Sequence, residues 1–405
     1  MDNPSTLKSS FLPYLPFLVL ISFVSFLNIL ARVIFSPLTP YICEEMQLCH
    51  ADTGNLFLVL SLGFALTLFS SQYLSAKTSH RFTILFSVLA TGLGLIYVAS
   101  TETFMQFRVA LFLLGVSAGF FIPSAVALIR QRIPSHHLGK AFGIFGTAQS
   151  FAFILGPLFT QFFIQFYDWK MILNGFGLFF AVLSVLLFFA FSKNEEKSVP
   201  ITVSFVREVF SWPSFWIVMI LLCIINGLNI GIYNMAPDYF ERHNLLAASE
   251  VNYLIIVART ISIFTAVAGG MIADRLGLKK SLVIVLVICG SVTAFMGLSN
   301  PMLALSLFCI QSPIAAALMP IIHYGAAVIA PPEKNASIVS LMAPFAFTFG
   351  AGIVPQILGF FGDYNLYAEG FISFGIVSLL SGGLVSLNAI YKHVHFSQMK
   401  SLESK

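Results

Sequence analysis

Three arginines, Arg32, Arg108 and Arg259, stand within long apolar stretches of the chain. A guanidinium at the centre of such a stretch costs at least about 2.5–3.5 kcal/mol on insertion scales, so each one retained points to a task or a partner. Arg32 lies 12 residues before Glu44, about 18 Å of helix. Arg259 lies 15 residues before Asp274 and 9 after Glu250, about 22 and 14 Å. Arg108 is only six residues past Glu102 and can reach a surface. The 17 acidic residues all fall in expected loops, tails or span ends, which leaves no carboxylate to neutralise the two central arginines. Carboxylate or phosphate oxygens of a bound anion would do so by bidentate hydrogen bonding. Helix-end carbonyls, amide side chains or cavity water could also satisfy a guanidinium at these positions.

The surrounding polar residues extend the same site. Ser22, Ser25, Asn28, Arg32, Ser36 and Thr39 form one stripe on a helical cylinder, expected to line a water-filled cavity. Asn226, Asn229 and Tyr233 repeat the pattern, and Asn252, Arg259 and Ser262 share a face. Gln149, Gln311 and Gln356 are either further cavity groups or bridges between helices. The substrate-binding set expected from the sequence is therefore Arg32, Arg259, Asn28, Asn226, Asn229, Tyr233, Gln149 and Gln356. His323 could carry a proton or be structural, and Asp238, just after Pro237, is the remaining acid within reach of the cavity. The five cysteines lack metal-ligand spacing; Cys43 and Cys49 flank a turn, where pairing is the less favoured reading. No catalytic cluster, metal site, cofactor motif or phosphate-binding loop is found, so neither an enzyme nor an ATP-driven pump is expected.

The elements that must position these residues follow from composition. The chain has 405 residues, 58% hydrophobic and 9% charged, with a mean hydropathy of +0.91. A soluble domain of this length needs far more charge to cover its surface. Apolar runs at about 14–40, 52–76, 82–100, 104–129, 140–166, 171–191, 214–237, 250–273, 281–299, 302–329, 336–361 and 370–391 predict twelve transmembrane helices. With both termini cytoplasmic, 16 of the 21 basic residues fall on the inner side and two on the outer, as the positive-inside rule requires. The net charge of +4 is dispersed, which argues against nucleic acid as a partner. Pro123 to Pro134 recurs as Pro320 to Pro331 at an offset of 197, and Asn28 recurs as Asn226 at 198. A direct repeat predicts an all-α membrane protein of two pseudo-symmetric six-helix bundles, residues 1–191 and 214–391. A cytoplasmic linker at 192–213 and a tail at 392–405 complete the chain, with the substrate site between the bundles.

From about Phe11 to Tyr391 the chain resembles the major facilitator superfamily. The turn after the eighth span, GGMIADRLGLKK, matches the family's loop motif at Gly270, Asp274, Arg275, Gly277 and Lys280. The first-half copy, SQYLSAKTSHRF, departs from it at Ala76 and Ser79. Arg108 with Gly115 and Gly119 is similar to the family's fourth-helix motif, and Gly156-Pro157 to its fifth. The resemblance implies a monomeric inner-membrane transporter working by alternating access. It gives gating roles to Gly270, Asp274, Arg275, Gly277 and Arg108, with Asp274 and Arg275 bracing a neighbouring helix end. The spacing from Arg32 to Pro40 resembles organophosphate antiporters, and paired central arginines resemble nitrate-type exchangers. Ile230 occupies the position in the second half equivalent to Arg32, so the two-arginine symmetry of the organophosphate group is missing. A small organic anion, exchanged or taken up, is the expected substrate. Proton-coupled efflux of amphipathic compounds is the alternative, and a signalling sensor would need a longer tail than the 14 residues after Tyr391.

Overall fold

The computed structural model describes residues 11–134, 137–190, 203–242, 247–328 and 335–386. Half of the expected linker, 192–202, and the tail at 392–405 lie outside these residues. The described residues contain twelve helices long and apolar enough to cross a membrane. In chain order, those of the first half are α1 (Leu12–Met46), α2 (His50–Lys77), α3 (His80–Ala99), α4 (Phe104–Arg132), α5 (Leu138–Phe163) and α6 (Trp169–Ala190). The second half holds α7 (Pro213–Glu241), α8 (Ala248–Leu276), α9 (Leu278–Leu298), α10 (Pro301–Val328), α11 (Ile338–Asp363) and α12 (Tyr367–Ser386). A short amphipathic helix, Val203–Phe210, precedes α7. Twelve alternating spans bring the start of α1 and the end of α12 to one face, here the terminal end. The turns α1–α2, α7–α8 and α11–α12 lie at the far end.

Short loops are capped by local side chains. Ser79 accepts from the Phe82 N–H at the start of α3, and Thr103 accepts from Gln106 at the start of α4. Gly277, at φ +78°, turns the chain between α8 and α9 in a conformation that a β-carbon disfavours. Outward faces carry large apolar residues such as Phe189, Phe264 and Leu380, which suits lipid contact and needs no further protein partner.

Two helices of the second half are not regular. α7 widens into a π-helix over Gly227–Gly231, and α11 does so over Thr348–Ile353. Such a turn leaves backbone carbonyls without their usual partner, and no membrane water is there to meet them. Side chains take that place. Gln311 of α10 donates to the Leu228 carbonyl at 3.0 Å, Arg259 of α8 donates to the Asn229 carbonyl, and Asn234 of α7 donates to the Ala351 carbonyl at 3.3 Å.

Small residues set how closely helices approach. A β-carbon at Gly115 of α4 would fall 2.2 Å from the Leu60 carbonyl of α2. The glycine pair of the fourth-helix motif thus lets α4 lie against α2, as small-residue seams do in membranes. At the far end, Gly54 of α2 meets the Pro355 carbonyl of α11, and Gly359 of α11 meets the His50 carbonyl. Gly115→Ala is expected to destabilise the protein by about 1–3 kcal/mol through overpacking. Gly143→Ala, where a β-carbon meets nothing within 4 Å, should hold or raise the unfolding midpoint; thermal unfolding in detergent compares the two.

Candidate functional site

A cavity of about 70 Å³ lies between the halves. The first half contributes Arg32 of α1, Ser61 and Phe64 of α2, and Gln149 and Phe153 of α5. The second half contributes Ile230 and Asn234 of α7, with Phe347 and Ala351 of α11. Walls drawn from helices of both halves fit a site whose access would change if the halves moved.

Arg32 is the charged residue of this lining. Its guanidinium carbon lies 3.9 Å from the centre of the Phe64 ring and 5.9 Å from that of Phe347. Among the described residues it has no carboxylate partner, and its Nε is buried without a hydrogen bond. Ring faces attract a cation by roughly 0.5–2 kcal/mol, less than a carboxylate would supply in a low-dielectric setting. Gln149 adds an amide beside it, and Ile230 faces the same cavity as the apolar repeat counterpart of Arg32.

Arg259 is placed differently from the sequence expectation. It is 5% exposed and bound to Asn229, donating to the amide Oδ1 at 2.6 Å and to the backbone carbonyl. Its guanidinium also lies over Tyr233, 4.4 Å from the ring centre, and 4.8 Å from that of Phe153. Asn229 and Tyr233 therefore hold Arg259 rather than line the open cavity. Asn229 and Tyr233 share a face of α7, but that face is turned to Arg259, and Ile230 and Asn234, each one position further along, reach the cavity instead.

Several other expected residues serve helix contacts. Asn28 donates to the Ala118 carbonyl of α4 at 3.2 Å, and Asn226 donates to Leu222 of its own helix. Ser36 donates to the Tyr233 carbonyl and Thr39 to Phe35, so of the first-helix stripe only Arg32 reaches the cavity. Gln356 lies at the far-end seam, accepting from Asn55 at 2.8 Å and donating to the Ala51 carbonyl. Gln311 bridges to α7, and His323 is exposed, bonded through Nδ1 to Met319 of its own helix.

The gating set is also divided. Arg108 lies near the far end over the Phe104 ring, while Gly270, Asp274, Arg275 and Gly277 occupy the terminal end of α8. Asp274 and Arg275 are exposed and brace no helix end among the described residues. In the first-half copy, Arg81 donates to the Phe188 carbonyl and ties the start of α3 to the end of α6. Cys43 and Cys49 form no disulfide; Cys43 faces the Thr53 hydroxyl. Burial, then the hydrogen bond to Asp52, pushes the Cys49 thiol up to about 11.

The far end is where sequence reasoning missed most. Among the described residues, at least six hydrogen bonds join the halves there. Asp238 is 1% exposed, and its Oδ2 accepts from Tyr367 at 2.6 Å and meets His50 Nδ1 at 2.5 Å. Asp363 accepts from the His50 and Ala51 backbone N–H groups, where the start of α2 favours a negative charge. Asp238 thus sits in a cross-half latch and not in the central cavity. His50 carries no sequence signal for this, since its partners lie 188 and 317 residues away.

A model of the Major Facilitator Superfamily matches residues 21–355. The chain belongs to that superfamily. Among curated relatives, multidrug resistance protein MdtG of Klebsiella pneumoniae (strain 342) is 26% identical over 269 residues, 62% of this chain and 64% of that protein. MdtG of Salmonella typhi is 25% identical over 267 residues, 62% of this chain and 65% of that protein. The chain thus spans just under two thirds of the length of the relatives it matches. Among solved structures, a bacterial homolog of the human lysosomal transporter Spinster, inward-facing and occupied, superposes with a TM-score of 0.75 at 15% identity, covering 93% of this chain and 96% of that one. The D-xylose-proton symporter gives 0.74 at 14% identity, with 93% and 97% covered. At these identities the likeness is one of fold.

The latch makes a direct prediction for this superfamily member. Asp238→Asn removes a charged acceptor shared by two donors, worth about 1.5–3 kcal/mol. In a background with the native cysteines replaced, labelling of buried Ser36→Cys by a maleimide reaching the far end should rise about tenfold or more.

Proposed function

We propose that this chain is a secondary transporter that moves a small organic anion, a carboxylate or phosphate ester, across a bacterial inner membrane by alternating access of its halves. The observation that carries this reading is Arg32, a guanidinium facing the inter-half cavity with no protein counter-ion among the described residues. A bound anion would complete it with charge-assisted hydrogen bonds, while Gln149 and Asn234 supply neutral donors. Among the described residues no carboxylate lines the cavity to carry a proton, so exchange of one anion for another fits the lining better than proton symport. Both termini are assigned to the cytoplasm because 16 of 21 basic residues then lie inside. In this scheme the far-end latch faces the outer side and must part for the cavity to open there.

The second reading is efflux of amphipathic compounds. It is favoured by the similarity to MdtG and by a cavity walled largely by Phe64, Phe153, Phe347 and Ile230. Arg32 separates the two, because an exporter of neutral or cationic amphiphiles gains nothing from an uncompensated cation. Reconstituted protein is expected to take up at least one radiolabelled carboxylate or phosphate ester, faster after preloading with the unlabelled compound. Arg32→Ala should abolish that uptake and Arg32→Lys should reduce it, as a point charge replaces a bidentate fork. Transport confined to neutral or cationic compounds, unchanged in Arg32→Ala, would establish efflux instead.

A further inference from the structure

One residue of the cavity wall differs from the rest in what it touches. Phe153 of α5 contributes to the cavity lining and also contacts the buried Arg259–Tyr233 pair: its ring stands edge-on to Tyr233 at 5.1 Å between centres, with Arg259 4.8 Å from its own centre.

Polar atoms in that buried pair lack partners. Tyr233 is 1% exposed, and its Oη makes no hydrogen bond; nearby Ser36 donates to the Tyr233 backbone carbonyl instead. Arg259 uses Nη1 and Nη2 on Asn229, but its Nε is buried and unpartnered. Buried donors left unsatisfied are unfavourable and uncommon in native proteins. Here two occur on neighbouring side chains, both against the same aromatic ring, beside a cavity that already holds a second guanidinium. A hydroxyl and a guanidinium N–H together suit an acceptor with two oxygens.

We propose that Phe153 is a movable partition between two anion subsites, Arg32 in the open cavity and the Arg259–Tyr233 pair beside it, so that the preferred substrates are small dianions such as α,ω-dicarboxylates. This rests on the anion reading above and narrows it. One carboxylate pairs with Arg32. The other displaces the Phe153 ring and accepts from Tyr233 Oη and Arg259 Nε. A monoacid reaches only Arg32 and leaves the ring in place.

The test is isothermal titration of the full chain in detergent with α,ω-dicarboxylates of three to six carbons and the monocarboxylates of matched length. Wild type should bind at least one diacid about tenfold or more tightly than its monoacid. Tyr233→Phe, which keeps the ring and the fold, should remove that preference and leave monoacid affinity unchanged. Phe153→Leu keeps an apolar wall without the ring and should bind the diacid at least as tightly as wild type. Equal affinity for both acids, with each still lost in Arg32→Ala, would overturn the partition and leave the anion reading standing. A preference for diacids that Tyr233→Phe leaves intact, or an equal loss of both acids in Phe153→Leu, would also overturn it. No binding of either acid would overturn both readings.

Discussion

A positive charge placed inside a membrane protein must be compensated within the protein or by what it binds. The two central arginines meet this constraint in different ways. Arg259 is built into the scaffold, since Asn229 supplies both an amide oxygen and a carbonyl and two rings cover the guanidinium. Arg32 has only the faces of Phe64 and Phe347 and opens onto the cavity between the halves. Arg259 is thus held by the scaffold through its two Nη groups with only Nε left over, whereas the whole Arg32 guanidinium is open to a ligand.

That backbone acceptor exists because α7 is not a regular helix. The π-helix at Gly227–Gly231 presents the Leu228 and Asn229 carbonyls sideways, and Gln311 and Arg259 close on them. The matching interruption in α11 is held by Asn234, which also lines the cavity. The irregular segments, their partners and the cavity wall are thus one construction, in which polar side chains fix the backbone that shapes the site. At the far end a separate set, Asp238, His50, Tyr367 and Asp363, joins the halves with short hydrogen bonds to carboxylates, which water can replace if the halves part.

Much of this architecture was legible in the sequence. Twelve apolar runs gave the span count because a bilayer fixes helix length, and the DRLG turn with Gly277 gave the family because its residues are close in sequence. Arg32 and Gln149 could be placed at the cavity from their depth in apolar helices. The second-half residues were less legible. The helical period pointed to Tyr233 and Asn229 as one face, but that face is turned to Arg259, and the next residues along, Ile230 and Asn234, line the cavity. Gln356 failed for another reason: depth along α11 does not reveal that α2 approaches it, which depends on Gly54 and Gly359 and on pairing across about 300 residues. Asp238 and His50 show the same limit.

The central claim, that Arg32 is completed by a bound anion, is tested most directly by protein stability. The unfolding midpoint of wild type and Arg32→Met would be measured against small carboxylates and phosphate esters at matched ionic strength, with the neutral amide or alcohol of each as control. An anion that binds only the folded protein raises the midpoint with its concentration. The account predicts that at least one anion stabilises wild type while its neutral control does not. It also predicts that Arg32→Met loses this response yet unfolds no lower than wild type in the absence of anion, because an uncompensated buried charge has been replaced by an apolar chain. An anion response that survives in Arg32→Met, or a large drop in its midpoint without anion, would contradict it.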